Sequence, residues 1–407
     1  MIWSQKLKYP LLEATGCGQQ RPIAGGVTSF GCGKVIRNSR DGLRVVETDP
    51  DTDPRWEPFI RTHPDGTIYH HPAWLKALEQ EYGQKAVHLA CEDDDGQLLA
   101  VLALLYTRGL PFNLGGAMAG RRLSSLPRTP LGGPLSKHRE AMAAIVRAAV
   151  SLTSQNPGIQ LQIKTQGTEL DGLVDGVVRT PWRDSYLLEL PEDPAKLRFG
   201  NNVMRHRIKW AVNKATKLGL QVRVAENEED LRAWYGLYLD AMRRNTVAAR
   251  SYRFFQSLWH LLYPKGLMRL LIAERIEGGQ RRLLAGSVFF MYGRTVSYAF
   301  TGCKREDLSL HPNDLIQWHA IHDACGKGFH RYDFGEVPED HQQVANFKSK
   351  WGAEPVPLYR YYYPAPRVSP SFDGTPIGRI RRLTAAAWRR LPLRTTALLG
   401  DWIYSHL

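Results

Sequence analysis

The chain has 407 residues, 43% hydrophobic and 23% charged, which is enough for two domains with buried cores. Its formal net charge of +14 favours polyanionic partners, without choosing among nucleic acid, nucleotide phosphates, lipid diphosphates and an acidic membrane face. The five cysteines form no C-x-x-C pair, which argues against a disulfide framework and for a reducing compartment. No run approaches the roughly 20 apolar residues of a membrane-spanning helix, and residues 1–16 lack a signal-peptide pattern. The sequence therefore predicts a cytoplasmic protein, soluble or peripheral at the inner face of the membrane.

The first 190 residues divide into a non-periodic start and an α/β block. Residues 1–42 are rich in Gly and Arg, and we interpret them as a mobile extension or as the product of a misplaced start codon. The block at 43–190 follows, and its apolar patterns predict a strand at 43–47, a helix at 71–82, strands at 86–92 and 98–107, a loop at 114–134, a helix at 140–154 and a strand at 159–165.

The second block, residues 191–365, has clearer signals. Asn201 or Asn202 is expected to cap a helix that ends at Gly219. The following patterns predict a strand at 220–225, helices at 228–245 and 252–262, strands at 268–276, 283–292 and 295–301, a helix at 313–327, a strand at 331–335, a helix at 344–351 and a strand at 356–363. This order is that of the GNAT acetyltransferase fold.

Three segments extend the resemblance to sequence level: NNVMRHRIKWAVNKATKLGLQV, HPNDLIQWHAIHDACGKGFHRYDFGE and NFKSKWGAEPVPLYR. They resemble the FemAB/BioF2-like acyltransferases, in which two GNAT-like domains are fused in one chain, and the resemblance covers roughly 320 residues. It implies an α/β fold of two tandem GNAT-like domains with mixed central sheets. It also implies transfer of an activated acyl or aminoacyl group, from acyl-CoA or aminoacyl-tRNA, to an amine on a cell-envelope or exopolysaccharide precursor. Peptidoglycan bridge formation is the best-described role of this family, but nothing in the sequence specifies it.

The resemblance also points to catalytic residues. In NFKSKWG the pair Phe347 and Lys348 is similar to a Phe-Lys pair at the donor site of aminoacyl-transferring members, where the lysine stabilises developing negative charge. Asp333, near the end of a central strand, is well placed either to contact substrate or to pair with a basic residue. The general base stays open among Asp333, Glu336 and a carboxylate of the substrate.

Further residues are candidates for substrate binding. The helix that begins near residue 201 carries no acid and five basic residues, which form either a solvated face or a phosphate-reading surface for tRNA or a diphosphate-linked acceptor: Arg205, Arg207, Lys209, Lys214 and Lys217. The stretch 304–314 lacks the glycines of a coenzyme A pyrophosphate loop, although the helix N-terminus at Asn313 is still able to bind an anion. Arg243 and Tyr298 are weaker candidates for the acceptor cleft.

Two last expectations concern cofactors and the tail. His319 and His322 lack a third ligand, so we predict no metal and no tightly bound cofactor. Residues 366–407 form a linker and a basic amphipathic helix, which either lies at an anionic membrane surface or docks on its own domain. Its predicted apolar stripe comprises Ile380, Leu383, Ala387, Trp388 and Leu391. The alternative function is a non-catalytic protein that binds polyanions or membranes and keeps the GNAT fold.

Overall fold

A computed structural model describes residues 35–38, 42–110, 120–338, 341–366 and 386–406. The strands in this part of the chain are β1 Val35–Asn38, β2 Arg44–Thr48, β3 Ala86–Glu92, β4 Leu98–Thr107, β5 Arg121–Ser124, β6 Leu135–Ser136, β7 Ile159–Thr165, β8 Val178–Glu189, β9 Leu220–Val224, β10 Met268–Glu277, β11 Gln280–Tyr292, β12 Thr295–Cys303, β13 Arg331–Val337 and β14 Glu354–Tyr363. The helices are α1 Trp56–Thr62, α2 Pro72–Tyr82, α3 Arg139–Ser154, α4 Asn202–Lys217, α5 Glu228–Arg244, α6 Tyr252–Leu262, α7 Pro312–Gly326, α8 Gln342–Ser349 and α9 Leu393–His406.

All of these strands belong to one mixed sheet. Its order is β1-β2-β3-β4-β5-β7-β14-β8-β13-β12-β11-β10-β9, and β6 pairs with β4. The pairs β5/β7 and β12/β13 are parallel, whereas the other recorded pairs are antiparallel. The predicted α/β class with a mixed sheet is therefore confirmed.

The two halves of the chain exchange strands at the centre of the sheet. The last strand of the first block, β8, pairs with β13, and the last strand of the second block, β14, pairs with both β7 and β8. Each half thus completes the sheet of the other. The proposed division of the chain at residues 190 and 191 stays a prediction.

The halves also share a hydrophobic core. Trp74 of α2 makes edge contacts with Phe254 of α6 and Phe290 of β11, at ring-centroid distances of 5.8 and 5.1 Å. Separate cores lie under α3 in the first half and under α4 and α7 in the second. Asn201 caps α4 by accepting a hydrogen bond from the Met204 backbone N–H at 3.0 Å, as predicted. Gly219 has the positive φ of +79° expected just after a helix.

Several first-half expectations need correction. Two strands, β5 and β6, lie inside or at the edge of the predicted loop at 114–134, of which residues 114–119 are outside the described residues. Helix α1 and the long strand β8 were not predicted at all. Residues 35–38 of the predicted extension pair with β2, whereas 1–34 and 39–41 are outside the described residues. Short strands such as β5 gain their conformation from a distant partner, so their local pattern is weak.

Candidate active site

The second parallel pair opens at its C-terminal end. The pairing of β12 with β13 runs from Thr295 opposite Arg331 to Ser297 opposite Asp333. Strand β13 pairs with β8 on its other edge along its whole length, and beyond Asp333 only this second pairing continues, with Glu336 opposite Ser185. Two neighbouring parallel strands that separate in this way leave backbone groups and side chains facing a gap. We call this gap the β12/β13 opening.

The two residues predicted to be catalytic meet at the β12/β13 opening. The Asp333 carboxylate is buried, and its Oδ1 accepts hydrogen bonds from the Ser185 hydroxyl at 2.9 Å and the Gly335 backbone N–H at 2.7 Å. Lys348, only 5% exposed, donates from Nζ to the carbonyl oxygens of Gly335 at 2.8 Å and Glu336 at 3.2 Å. Their proximity was not predictable from spacing, because it depends on how α8 packs over β13.

Burial shifts the pKa values of both groups toward their neutral forms. It lowers the pKa of Lys348 to about 8, although the charges of Asp333 and Glu336 act in the other direction. It also raises the pKa of Asp333, against the hydrogen bonds from Gly335 and Ser185 and the charge of Lys348. An ammonium that titrates near neutral pH and a carboxylate of raised basicity are typical of groups that handle protons or developing charge.

A third acidic side chain, Glu336, lies on the wall of the opening. Its two carboxylate oxygens accept hydrogen bonds from Arg183 at 2.8 Å and from the Trp182 indole N–H at 2.9 Å. The guanidinium of Arg360 lies 3.2 Å from the centroid of the Trp182 ring. The sequence pattern indicated Glu336 as a possible base but indicated no role for Trp182, Arg183 or Arg360. Strand β8 was not predicted, and β14 pairs with β8 only because the two halves exchange strands.

The first half of the chain contributes a phenol to the same region. Tyr69 lies in a short 3-10 helix before α2 and is almost fully buried. Burial, with the nearby charges of Asp333 and Glu336, raises the pKa of its hydroxyl group. The site is therefore built from both halves.

A cavity of about 340 Å³ borders these residues, and its walls include Trp182, Arg183, Tyr186, His341 and Ala345. Tyr186 of this wall is also close to the lysine, with its ring centroid 5.9 Å from Nζ of Lys348. Its size is at the lower end of small-molecule binding pockets.

The remaining candidates lie at different distances from this centre. Tyr298 of β12 is next to it, with its ring 6.2 Å from that of Phe334 and its pKa raised by burial. Phe347 is adjacent to Lys348 in sequence, but its ring lies under the ammonium of Lys350, at 4.5 Å. Both stay predictions as substrate contacts.

The basic candidates are on α4 and α5. Arg205 hydrogen-bonds Asn202 at the start of α4, and Lys209 is exposed on the same helix. Arg243 pairs with Asp240 at 2.8 Å and donates to the carbonyl oxygen of Leu391 at 3.2 Å. No contact recorded for the described residues joins these three to Asp333 or Lys348, and their roles stay predictions.

The start of α7 differs from a phosphate cradle. The loop before it forms a 3-10 helix, Arg305–Leu310, instead of a nest of backbone N–H groups. Asp314 occupies the first turn, where it pairs with Lys350 and with His311 at 3.4 Å, and the buried Oδ1 of Asn313 has no partner. A carboxylate at the positive end of a helix competes with any anionic ligand there. The anion-binding role of Asn313 stays a prediction.

The parallel pair of the first half has a different set of side chains. Pairing of β5 with β7 ends at Ser124 opposite Gln162, the position that corresponds to Ser297 opposite Asp333. Gln162 accepts from the Ser124 hydroxyl at 3.1 Å. The fully buried Lys164 donates to two carbonyl oxygens of the loop that follows β5, those of Leu126 at 2.8 Å and Thr129 at 3.0 Å.

Comparison with known proteins agrees with this architecture. Residues 202–346 match the family model described as an acetyltransferase (GNAT) domain. The match covers about a third of the chain and lies within the second half. Similarity to an acetyltransferase domain supports acyl transfer in general as the activity. A search of curated proteins finds no match.

Solved structures extend the likeness to about three quarters of the chain. The crystal structure of FemX is 16% identical, with a TM-score of 0.60 over 76% of this chain and 94% of that one. A conserved protein of unknown function from Bacteroides thetaiotaomicron VPI-5482 is 10% identical, with a TM-score of 0.50 over 71% of this chain and 89% of that one. The predicted tandem GNAT fold and the resemblance to FemAB-like proteins are thus confirmed at the level of fold.

Two further observations concern ligands and membranes. Among the described residues, no group of three or more His, Cys, Asp or Glu side chains is arranged to hold a metal ion. Within the same ranges, no helix is long and apolar enough to cross a membrane.

Proposed function

We propose that this protein transfers an activated acyl or aminoacyl group to an amine on a cell-envelope or exopolysaccharide precursor. The observation that carries the proposal is the meeting of Lys348 and Asp333 at the β12/β13 opening of a GNAT domain. A positioned cation and a buried base are the two groups that amide formation from an ester or thioester requires.

Lys348 is proposed to stabilise the oxyanion that forms at the donor carbonyl. A lysine ammonium has three N–H donors, and two of them are directed at the carbonyl oxygens of Gly335 and Glu336. These two bonds fix the ammonium, so the third N–H has a defined direction. Fixed donors of this kind stabilise a tetrahedral intermediate without reorganisation during the reaction.

Asp333 is proposed to take the proton from the acceptor amine. Both hydrogen bonds that it accepts within the described residues end on Oδ1, which leaves Oδ2 for the amine. Its raised pKa makes it a stronger base than an exposed aspartate. Glu336 is less suited, because Arg183 and Trp182 already hold both of its oxygens; we assign it a positioning role.

The acceptor is proposed to be anionic, as a nucleotide-linked or lipid-linked sugar would be. Burial lowers the pKa of Arg360 on β14, whose guanidinium lies over the ring of Trp182, a residue of the cavity wall. Burying a positive charge costs desolvation free energy, and a neighbouring anion offsets part of that cost. A lipid-linked acceptor would bring the protein to the inner face of the membrane.

The donor is proposed to be an aminoacyl-tRNA rather than an acyl-CoA. Support comes from the start of α7, where Asp314 and a 3-10 turn stand in place of a pyrophosphate cradle. The basic face of α4, with Arg205 and Lys209, offers contacts to the phosphates of the tRNA.

The test is formation of an amide that resists mild alkali, which hydrolyses the ester of aminoacyl-tRNA. Purified protein is incubated with a fraction of nucleotide- and lipid-linked sugars and either radiolabelled aminoacyl-tRNA or radiolabelled acetyl-CoA. We expect alkali-stable label from the tRNA and its loss in Lys348→Met, whereas Lys327→Met, at an exposed lysine of the α7 terminus, keeps it. Absence of stable label with both donors would contradict the proposal.

A second candidate is a polyanion-binding protein without transferase activity, favoured by the absence of glycine from residues 304–314. It predicts that Lys348→Met and wild type bind tRNA equally and that neither forms an amide.

A further inference from the structure

The C-terminal helix α9 is held against the body of the protein in one orientation. Its Gly400 packs on the backbone of Ala249, where an added Cβ would lie 2.4 Å from the carbonyl oxygen. The Tyr82 hydroxyl donates to Asp401 at 2.9 Å, and Arg128 donates to the carbonyl oxygen of Tyr404 at 2.6 Å. The inward face of α9 is therefore fixed, and so is the face that points away.

The face that points away is apolar and exposed. Leu398 is 72% exposed and Trp402 is 45% exposed, and with Arg394 they follow a spacing of four residues along one side of the helix. Leu399 lies beside them and is also exposed. We call these four residues the outer stripe. Large side chains that a docked helix leaves in solvent mark an interaction surface.

The fully exposed charged side chains of residues 386–406 are all basic. Arg389, Arg390 and Arg394 are exposed in this region. The acid on α9, Asp401, is engaged by Tyr82 on the inward side. A second copy of this chain is a poor partner for such a surface, because the protein carries a net charge of +14.

We propose that the outer stripe docks on an anionic lipid bilayer. The helix would lie in the plane of the membrane, with Leu398 and Trp402 at the boundary of headgroups and acyl chains and the arginines on lipid phosphates. The surface differs from the stripe predicted from the sequence, of which Ile380 and Leu383 lie outside the described residues. The proposal stands whether or not the chain transfers an acyl group.

The contact should be weak and reversible. Few side chains enter the bilayer, so attraction to anionic headgroups supplies a large share of the affinity. We therefore expect binding that requires anionic lipid and falls as salt is raised.

The experiment is co-sedimentation of the full chain with phosphatidylcholine vesicles, with and without about 30 mol% phosphatidylglycerol. Wild type should sediment only with the anionic vesicles. Leu398→Ser/Trp402→Ser should bind at least about tenfold more weakly, and Arg390→Gln/Arg394→Gln should lose about fivefold per arginine. The matched control is Val203→Ser/Ile276→Ser, which removes two equally exposed apolar side chains from α4 and β10 and should bind like wild type.

Three results would overturn the proposal: equal binding to both kinds of vesicle, unchanged binding by the Leu398/Trp402 variant, or no binding by wild type at low salt. Sedimentation velocity without lipid tests whether a second copy of this chain binds to the outer stripe instead. If wild type is dimeric and the Leu398/Trp402 variant monomeric, the stripe is an interface between copies. Unchanged melting temperatures establish that the variants fold, since none of the substituted side chains is buried.

Discussion

The two parallel strand pairs, one in each half, use the same backbone device with different side chains. In the second half the last paired position of β13 is Asp333, whereas the corresponding position of β7 is Gln162. Each opening also has a buried lysine. Lys348 is directed at the end of β13, beside Asp333 and Glu336, and Lys164 is directed at a loop of its own half.

This difference separates what the fold supplies from what the side chains supply. A parallel pair that separates leaves a gap in either half. In the first half, however, the Gln162 amide cannot act as a base, and Lys164 already donates hydrogen bonds to the carbonyl oxygens of Leu126 and Thr129. The first opening is thus a closed, structural version of the second. We infer that the second half carries out transfer and that the first half contributes Tyr69 to the site.

The largest difference between the two openings is expected in the transfer rate of the Asp333→Asn variant. Asparagine keeps the shape and still accepts from Ser185 and Gly335, but it cannot take a proton, so the transfer rate should fall by about 10²–10⁴. The matched change in the first half, Gln162→Asn, should leave the rate within about threefold, since no base is lost. Similar losses in both variants would mean that the openings share the chemistry.

The next effect is a dependence of the transfer rate on pH, which should come from the titrating groups of the second opening. The pKa of Lys348 is about 8, so the ammonium is lost above that pH and the transfer rate should fall tenfold per pH unit. Protonation of Asp333 defines the acidic limb, displaced upward because burial raises its pKa. A rate that stays constant from pH 8 to pH 10 would show that the charge of Lys348 is not needed.

The same pKa has a consequence for stability. Because the folded-state pKa of Lys348 lies below its unfolded value of 10.5, the unfolded chain binds more protons between about pH 8 and 10.5. The free energy of unfolding should therefore rise with pH in this window, by up to about 1.4 kcal/mol per unit from this group. Urea titrations of wild type and Lys348→Met should differ in this slope; equal slopes would contradict the burial of a titrating lysine.

The smallest effect is expected on α4. Arg205→Gln/Lys209→Gln should weaken tRNA binding several-fold and lower the salt dependence by about two counterions, while the rate at saturating donor stays unchanged. Arg243→Gln is the control, because its guanidinium is engaged by Asp240 and Leu391. If the two variants had equal effects on tRNA binding, α4 would not be part of the surface that binds the donor.

The sequence predicted the second half well because its signals are local. The Asn201 cap, the glycine at 219 and the long strands β10–β12 each depend on neighbours within a few residues. The sequence could not show the exchange of β8 and β14, because the register of Arg360 opposite Lys164 joins residues that are far apart in the chain.

The site was predicted in part for the same reason. Lys348 was named from its motif and Asp333 from its strand position, but the local pattern of α8 did not show that Lys348 packs against the end of β13. Trp182 and Arg183 carry no motif, and Arg360 ends the segment NFKSKWGAEPVPLYR without a role that its position suggests; strand pairing brings these residues together near Glu336.

The most direct test of the central claim is the single-turnover transfer rate of wild type, Lys348→Met and Lys164→Met with saturating radiolabelled aminoacyl-tRNA. We predict that Lys348→Met loses about 10²–10³ in rate, as expected for a missing oxyanion donor, whereas folded Lys164→Met keeps the wild-type rate. A Lys348→Met rate near wild type, or an equal loss in both folded variants, would contradict the assignment of transfer to the second opening.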